Sequence, residues 1–203
     1  MNAERAGMTS PAILPVMHVV LRDPSPDMLE ERRRLGHDLL DEVWDGVLHM
    51  VPPPGATHQS FARDLFLFLH SRLREGSKIF WETGLYLSPD ESNYRIPDLI
   101  VAADADIAER GVEKRAELVV EVLSKNDMSR DKLPFYAACN VKEVWLLDPK
   151  SREHEIYVLR GGQYFAATPD RDGITHAPLL ALDFRTVDGP KLRVTAADTT
   201  VEI

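Results

Sequence analysis

The 203-residue sequence predicts a mixed α/β (α+β) fold, in which helices flank a mixed β-sheet and further strands lie towards both ends. Short apolar runs at 117–123 and 143–147 enclose a helical segment at 129–139. This spacing is typical of a β-α-β crossover, whose two strands are parallel neighbours. Apolar runs at 79–87 and 95–102 are joined by a short turn-forming segment and therefore indicate antiparallel strands.

The remaining elements follow from local patterns. Apolar residues at spacings of three and four predict a helix from His58 to about Arg74, with Thr57 as its N-cap. Asn140 is placed to end the helix at 129–139, because asparagine tolerates the left-handed backbone of a C-terminal cap. The other predicted elements are a strand at 17–21, a helix at 28–40 weakened by Gly36, a hairpin at 42–50 that turns at Asp45-Gly46, and a hairpin at 155–167 that turns at Gly161-Gly162.

We expect residues 1–203 to form a single domain, since the length suits one hydrophobic core. Within it, residues 1–40 are predicted to be an N-terminal arm and helix. Residues 41–160 form the predicted core, and residues 161–203 a C-terminal β extension. The sequence contains no internal repeat and no low-complexity segment.

Composition narrows the class of protein. The single cysteine, Cys139, excludes an intramolecular disulfide and is typical of the reducing cytoplasm. No apolar run approaches 18 residues, so we expect no membrane association. The net charge of −9 argues against broad, non-specific nucleic-acid binding but leaves room for a local basic face. It also suits a protein that uses carboxylates to hold a divalent cation.

Two carboxylates lie in apolar strands, where an isolated charge is costly. Asp98 stands at the entry of one strand, and Glu121 lies between valines in the run ELVVEVL. Each alone is compatible with an ordinary strand-end acid. Lys132 begins the next helix, which starts beyond the end of the Glu121 strand. Carboxylate oxygens suit Mg²⁺ or Mn²⁺, and a lysine stabilises charge developing on a phosphate, so the set predicts metal-assisted phosphodiester hydrolysis.

These residues resemble the PD-(D/E)XK nuclease superfamily, and more specifically the Uma2 family of restriction-endonuclease-like proteins. The similar stretches are DGVLHMVPPPGATHQ, RIPDLIVA, ELVVEVLS, DKLPFYAACNVKEVWLLDP and EIYVL. The resemblance implies a restriction-endonuclease-like core, a DNA substrate, Mg²⁺ or Mn²⁺ as cofactor, and a homodimer. It implies that Asp98, Glu121 and the backbone carbonyl of Val122 hold the cation, while Lys132 is catalytic.

The sequence departs from the superfamily pattern at one position that matters. The lysine that usually follows the second acid by two residues is replaced by Leu123. The resemblance implies that Lys132, on the next helix, takes its place. Lys125, in the intervening loop, is a second and lower-ranked candidate. Asn140 stands where the family tends to have glycine, and both residue types serve the same cap.

Four further residues are auxiliary or alternative candidates. Glu82 is either an extra ligand or a partner of a ligand, and a solvated strand-face acid is an equally good interpretation; Glu42 is a weaker candidate for the same role. His58 either contacts the phosphate or the carboxylates, or caps its helix. Tyr136 lies four residues after Lys132 on the same helical face, so it either reaches the site or packs in the core.

Two other functions compete with a nuclease. A binding module that keeps the nuclease frame without useful catalysis is favoured by the acidic balance and by the lack of a separate basic DNA-reading segment. A glycosidase that uses the carboxylate pair is less well supported. Aromatic residues make up only 7% of the chain, and Lys132 then has no role.

Overall fold

The computed structural model describes residues 19–89, 92–125, 128–197 and 199–203. The helices of this part of the chain are α1 (Pro26–Leu35), α2 (Ala56–His70) and α3 (Leu133–Ala138). The first nine strands are β1 (Val19–Leu21), β2 (Glu42–Trp44), β3 (Val47–Met50), β4 (Ser77–Trp81), β5 (Leu85–Tyr86), β6 (Tyr94–Arg95), β7 (Leu99–Ala103), β8 (Ile107–Ala108) and β9 (Gly111–Glu113). The remaining strands are β10 (Leu118–Val122), β11 (Glu143–Leu147), β12 (His154–Arg160), β13 (Gln163–Ala166), β14 (Thr175–Ala177), β15 (Leu182–Val187), β16 (Lys191–Thr195) and β17 (Thr200–Glu202).

The strands form three sheets. The central sheet has the order β13-β12-β11-β10-β7-β4, the N-terminal sheet β1-β3-β2-β6-β5-β9-β8, and the C-terminal sheet β14-β15-β16-β17. In the central sheet β10 and β11 are parallel, with Leu118 opposite Glu143 and Val122 opposite Leu147. All other pairs of this sheet are antiparallel. The predicted crossover and mixed sheet are therefore confirmed.

Each face of the central sheet carries its own apolar core. Leu118, Val120 and Val122 pack in one core together with residues of α2 and of the C-terminal sheet. Val119 packs in the other core, together with residues of α3 and of the N-terminal sheet. Because side chains alternate along a strand, Glu121 of β10 projects to the same side as Val119, towards α3. Trp145 of β11 meets Phe184 of the C-terminal sheet with ring centroids 4.9 Å apart.

Two segments predicted as single strands are divided between sheets, so those predictions are wrong. The run 79–87 breaks at Glu82, whose φ of 44° ends β4 and sends β5 into the N-terminal sheet. The run 95–102 breaks between β6 and β7, where Pro97 has no amide hydrogen to donate to a ladder. Antiparallel pairing is confirmed for both halves, β4 with β7 and β5 with β6. Asp98 therefore lies in the break, directly before β7.

The helices also differ from prediction at their ends. Gly55 caps α2 in place of Thr57, and α2 ends at His70 rather than near Arg74. α1 stops at Leu35 because Gly36 adopts a left-handed conformation with φ 67°, so the predicted extension to residue 40 is wrong. The predicted helix at 129–139 is a 3-10 turn, Ser129–Lys132, followed by α3. Pro134 in the first turn of α3 accounts for this division, because proline favours a helix start.

The predicted turns are confirmed. Asp45 and Gly46 have positive φ and join β2 to β3, and Gly161 and Gly162 do the same between β12 and β13. Asn140 adopts the expected left-handed conformation with φ 48° after α3. Residues 17 and 18 of the predicted first strand lie outside the described part of the chain. None of the helices in that part has the length and apolar character needed to span a membrane.

Candidate active site

Asp98 is held at the edge of the central sheet by the neighbouring strand. Its Oδ2 accepts a 2.6 Å hydrogen bond from the backbone N–H of Val122, the last residue of β10. Its Oδ1 lies 3.3 Å from Nε2 of His58 on α2. These contacts orient the carboxylate and leave it partly exposed. Asp98 lies in the break between β6 and β7, where its carboxylate reaches the end of the neighbouring β10.

Glu121 is the most strongly perturbed carboxyl group of the site. It is only 4% exposed, and its Oε1 accepts hydrogen bonds from Lys132 Nζ, at 3.1 Å, and from the Tyr136 hydroxyl. Burial, reinforced by the negative charges of Asp98 and Glu42, raises the pKa of Glu121 to about 8. Lys132 opposes this shift but does not outweigh it. No hydrogen bond from the described residues reaches its Oε2. An additional positive charge at this oxygen would therefore stabilise the ionised form.

Lys132 joins two acids in a nearly buried position. Its Nζ lies 2.8 Å from Oε1 of Glu42 and 3.1 Å from Oε1 of Glu121, and its side chain is 12% exposed. Burial lowers the pKa of Lys132, but the two carboxylates outweigh burial and raise it above its usual value. The ammonium therefore stays charged and is no general base. Two of its three donors are engaged, which leaves one for a further acceptor.

Glu42 belongs to the site more closely than the sequence indicated. This residue of β2 is 1% exposed. Its Oε1 accepts the backbone N–H of Ile96, at 2.8 Å, in addition to Lys132, and its Oε2 accepts Nε1 of Trp44 at 2.8 Å. The N-terminal sheet thus contributes a fixed carboxylate to an edge otherwise built from the central sheet and α3. Glu42 and Trp44 are two residues apart in β2 and therefore share one face, and this spacing is the sequence signal that Glu42 faces inward.

Three auxiliary candidates, His58, Glu82 and Tyr136, have partners among the described residues. Burial lowers the pKa of His58, but the neighbouring Asp98 carboxylate, with a smaller contribution from the backbone of Val122, outweighs burial and raises it. Glu82 accepts a 2.7 Å hydrogen bond from Nε2 of Gln59, a residue that no sequence pattern singled out. Tyr136 is fully buried and contacts Glu121 directly.

The remaining auxiliary candidate is Lys125. It lies exposed in the turn after β10 and makes no hydrogen bond or ion pair with a described residue. The sequence ranked it below Lys132, and the geometry brings only Lys132 to the two carboxylates.

The donors present fit a hard cation. Asp98, the free oxygen of Glu121 and the Val122 carbonyl offer oxygen atoms alone, the type that Mg²⁺ and Mn²⁺ prefer. The described residues contain no group of three or more histidine, cysteine, aspartate or glutamate side chains close enough to form a complete protein cage. Mg²⁺ does not require such a cage, because it usually retains waters and takes one or two carboxylates together with substrate oxygens.

Comparisons with known proteins agree with this architecture. The profile of the Uma2 family, described as "Putative restriction endonuclease", matches residues 29–188. This chain belongs to the Uma2 family. The match includes β2 to β15 and therefore every residue of the candidate site, Glu42 among them. No curated protein matches the Uma2 chain.

A solved structure resembles the Uma2 chain in its fold. It is a crystal structure from Anabaena variabilis ATCC 29413, titled "a putative nuclease belonging to DUF820". The two chains superpose with a TM-score of 0.52 at 18% sequence identity, over 70% of this chain and 83% of the other. The likeness supports the restriction-endonuclease-like α+β fold.

Proposed function

We propose that this Uma2 protein is a Mg²⁺- or Mn²⁺-dependent endonuclease that hydrolyses phosphodiester bonds in DNA. The observation that carries the proposal is the excess of carboxylate at a buried edge. Three acids, Asp98, Glu121 and Glu42, act on one another there, with Lys132 as the adjacent lysine. Uncompensated buried charge is costly, and a divalent cation together with a phosphate would balance it.

The proposed roles follow from the contacts. Asp98, Glu121 and the Val122 carbonyl hold the cation, which supplies Lewis-acid activation of a phosphoryl oxygen and of water. Lys132 directs its unused donor to a phosphate oxygen and stabilises the charge that develops on it. Glu42 and Tyr136 fix the positions of Lys132 and Glu121. His58, whose Nε2 lies 3.3 Å from Asp98, orients this ligand group.

The test is cleavage of supercoiled plasmid DNA with Mg²⁺ or Mn²⁺. We expect Asp98→Ala to abolish cleavage. Asp104→Ala is the matched control, because Asp104 is an exposed aspartate beyond the opposite end of β7 and forms an exposed ion pair with Lys78. Undiminished cleavage by Asp98→Ala, with both variants folded, would contradict the assignment of the site. Parallel incubations with single-stranded DNA and with RNA define the substrate class.

A binding module without catalysis is the second candidate. The net charge of −9 and the lack of a separate basic DNA-reading segment favour it. Calorimetric titration with Mn²⁺ separates the two functions. A nuclease should release or absorb heat of binding that is lost in Asp98→Ala and in Glu121→Ala, whereas no heat at millimolar Mn²⁺ favours the module.

We also propose a cytoplasmic homodimer, since cutting both strands of a duplex is simplest with two sites. The single cysteine and the family assignment support this proposal. Light scattering coupled to size-exclusion chromatography, with and without duplex DNA, measures the stoichiometry. A mass of one chain in both conditions would contradict the dimer.

A further inference from the structure

Arg152 is fixed in the loop that follows β11. Its backbone adopts a left-handed conformation with φ 64°, which costs energy in a residue other than glycine. The backbone N–H of Arg152 donates to the Asp148 carbonyl at 2.9 Å, and its carbonyl accepts Oγ1 of Thr186 at 2.6 Å. The carboxylate of Asp148 accepts hydrogen bonds from the backbone N–H groups of Lys150 and Ser151. The loop therefore holds the arginine in one place.

The side chain of Arg152 has no anionic partner among the described residues. Its guanidinium lies over the Phe61 ring, 4.8 Å from the centroid, and Nε and Nη1 are enclosed without an acceptor. Nη2, the third nitrogen of the guanidinium, is not among these enclosed atoms. Arg32 and Arg110, which are also partly enclosed, pair with Asp41 and Glu113. A guanidinium held by protein on one side and without a carboxylate is a suitable contact for an external anion.

The position of Arg152 relates it to the candidate active site. β10 and β11 are parallel, so the residues that follow them lie at the same edge of the central sheet. Phe61 follows His58 by three residues on α2, and the two side chains are neighbours on one helical face. The Phe61 residue under the guanidinium is therefore about one turn, roughly 5 Å along the α2 axis, from His58.

We propose that Arg152 binds a backbone phosphate of the nucleic acid, next to the phosphate that is cleaved. One strand of DNA advances about 3.4 Å per nucleotide along the helix axis, so the contacted phosphate lies roughly one to three nucleotides from the scissile bond. The contact carries no base specificity and sets the register of the strand on the edge of the sheet. This inference rests on the proposed nuclease function.

The experiment measures binding apart from cleavage. Fluorescence anisotropy with a labelled short DNA duplex, in EDTA and at several salt concentrations, compares the parent with Arg152→Met. We expect the slope of log affinity against log salt to fall by about one in the variant, as for the loss of a single phosphate contact, and to the same extent for unrelated DNA sequences. Arg115→Met is the matched control, because Arg115 is exposed and precedes β10 at the opposite edge of the sheet.

Thermal unfolding distinguishes binding from a structural role. The methionine keeps the apolar contact with Phe61 and removes a cation that has no anionic partner among the described residues, so we expect an unchanged or higher melting temperature. If Arg152→Met fails to fold, Arg152→Gln replaces it in the same measurement, and we expect the same fall in the slope of log affinity against log salt.

An unchanged slope in a parent that binds and cleaves DNA would overturn the role of Arg152 and leave the nuclease intact. A lower melting temperature with an unchanged slope would likewise overturn it, in favour of a structural role. A parent that fails to bind duplex or single-stranded DNA at low salt would overturn both proposals.

Discussion

Replacing Lys132 with methionine tests how the site is held together. The substitution keeps most of the side-chain volume and removes a cation that lies 2.8 Å from Glu42 and 3.1 Å from Glu121. Glu42 is then left as a nearly buried carboxylate without its lysine partner, while Glu121, whose pKa is raised to about 8, is protonated at neutral pH. Breaking a buried pair by removing one partner costs about 3–5 kcal/mol. This is a large share of the roughly 5–15 kcal/mol that stabilises a typical domain.

The measurement is urea unfolding at neutral pH in EDTA, monitored by tryptophan fluorescence, with the free energy of unfolding extrapolated to water. Lys78→Met is the matched control. Lys78 pairs with Asp104 at 3.0 Å, but both side chains are more than half exposed, at 61% and 56%. Exposed pairs contribute at most about 1 kcal/mol, so the control should lose far less stability than Lys132→Met.

A second substitution tests the physical cause. In the background of Lys132→Met, Glu42→Gln removes the carboxylate charge that the first substitution leaves without its lysine partner. We therefore expect it to restore part of the lost stability, with a coupling energy of about 1–3 kcal/mol. The reasoning is refuted if Lys132→Met costs no more than the control, or if Glu42→Gln costs the same in both backgrounds.

Two further predictions concern other acids. Burial raises the pKa of Glu117, but hydrogen bonds from Ser77 and Lys142 outweigh it and lower the pKa below its usual value. A carboxyl group with a lowered pKa stabilises the fold above about pH 4.5, and this contribution is lost as the pH falls. The parent should therefore have a higher free energy of unfolding than Glu117→Gln at about pH 5, and this difference should shrink towards about pH 3. A difference that stays constant with pH would contradict this. Tyr136→Phe removes the hydroxyl that donates to Glu121, and because such supporting hydrogen bonds typically change metal affinity by about 10–100-fold, we expect weaker Mn²⁺ binding by calorimetry with the fold retained. Unchanged Mn²⁺ affinity would show that the hydroxyl serves packing alone.

The sequence by itself determined the elements whose signals are local. The period of apolar residues located α2, and the order strand, helix, strand located β10, α3 and β11 with their parallel pairing. A carboxylate among valines marked Glu121, because a charge inside an apolar strand requires a partner. These predictions needed only propensity, alternation and the handedness of a crossover.

Only the tertiary structure decided which distant groups meet. Glu42 reaches Lys132 across 90 residues, and Arg152 reaches Phe61 from another loop. No periodicity encodes such contacts, since they depend on how sheets and helices stack. The division of two predicted strands has the same origin: at Glu82, and before Asp98, pairing with a second sheet outweighed the local preference to continue. At that break the Asp98 carboxylate meets the backbone N–H of Val122 on β10, which the apolar run alone did not reveal.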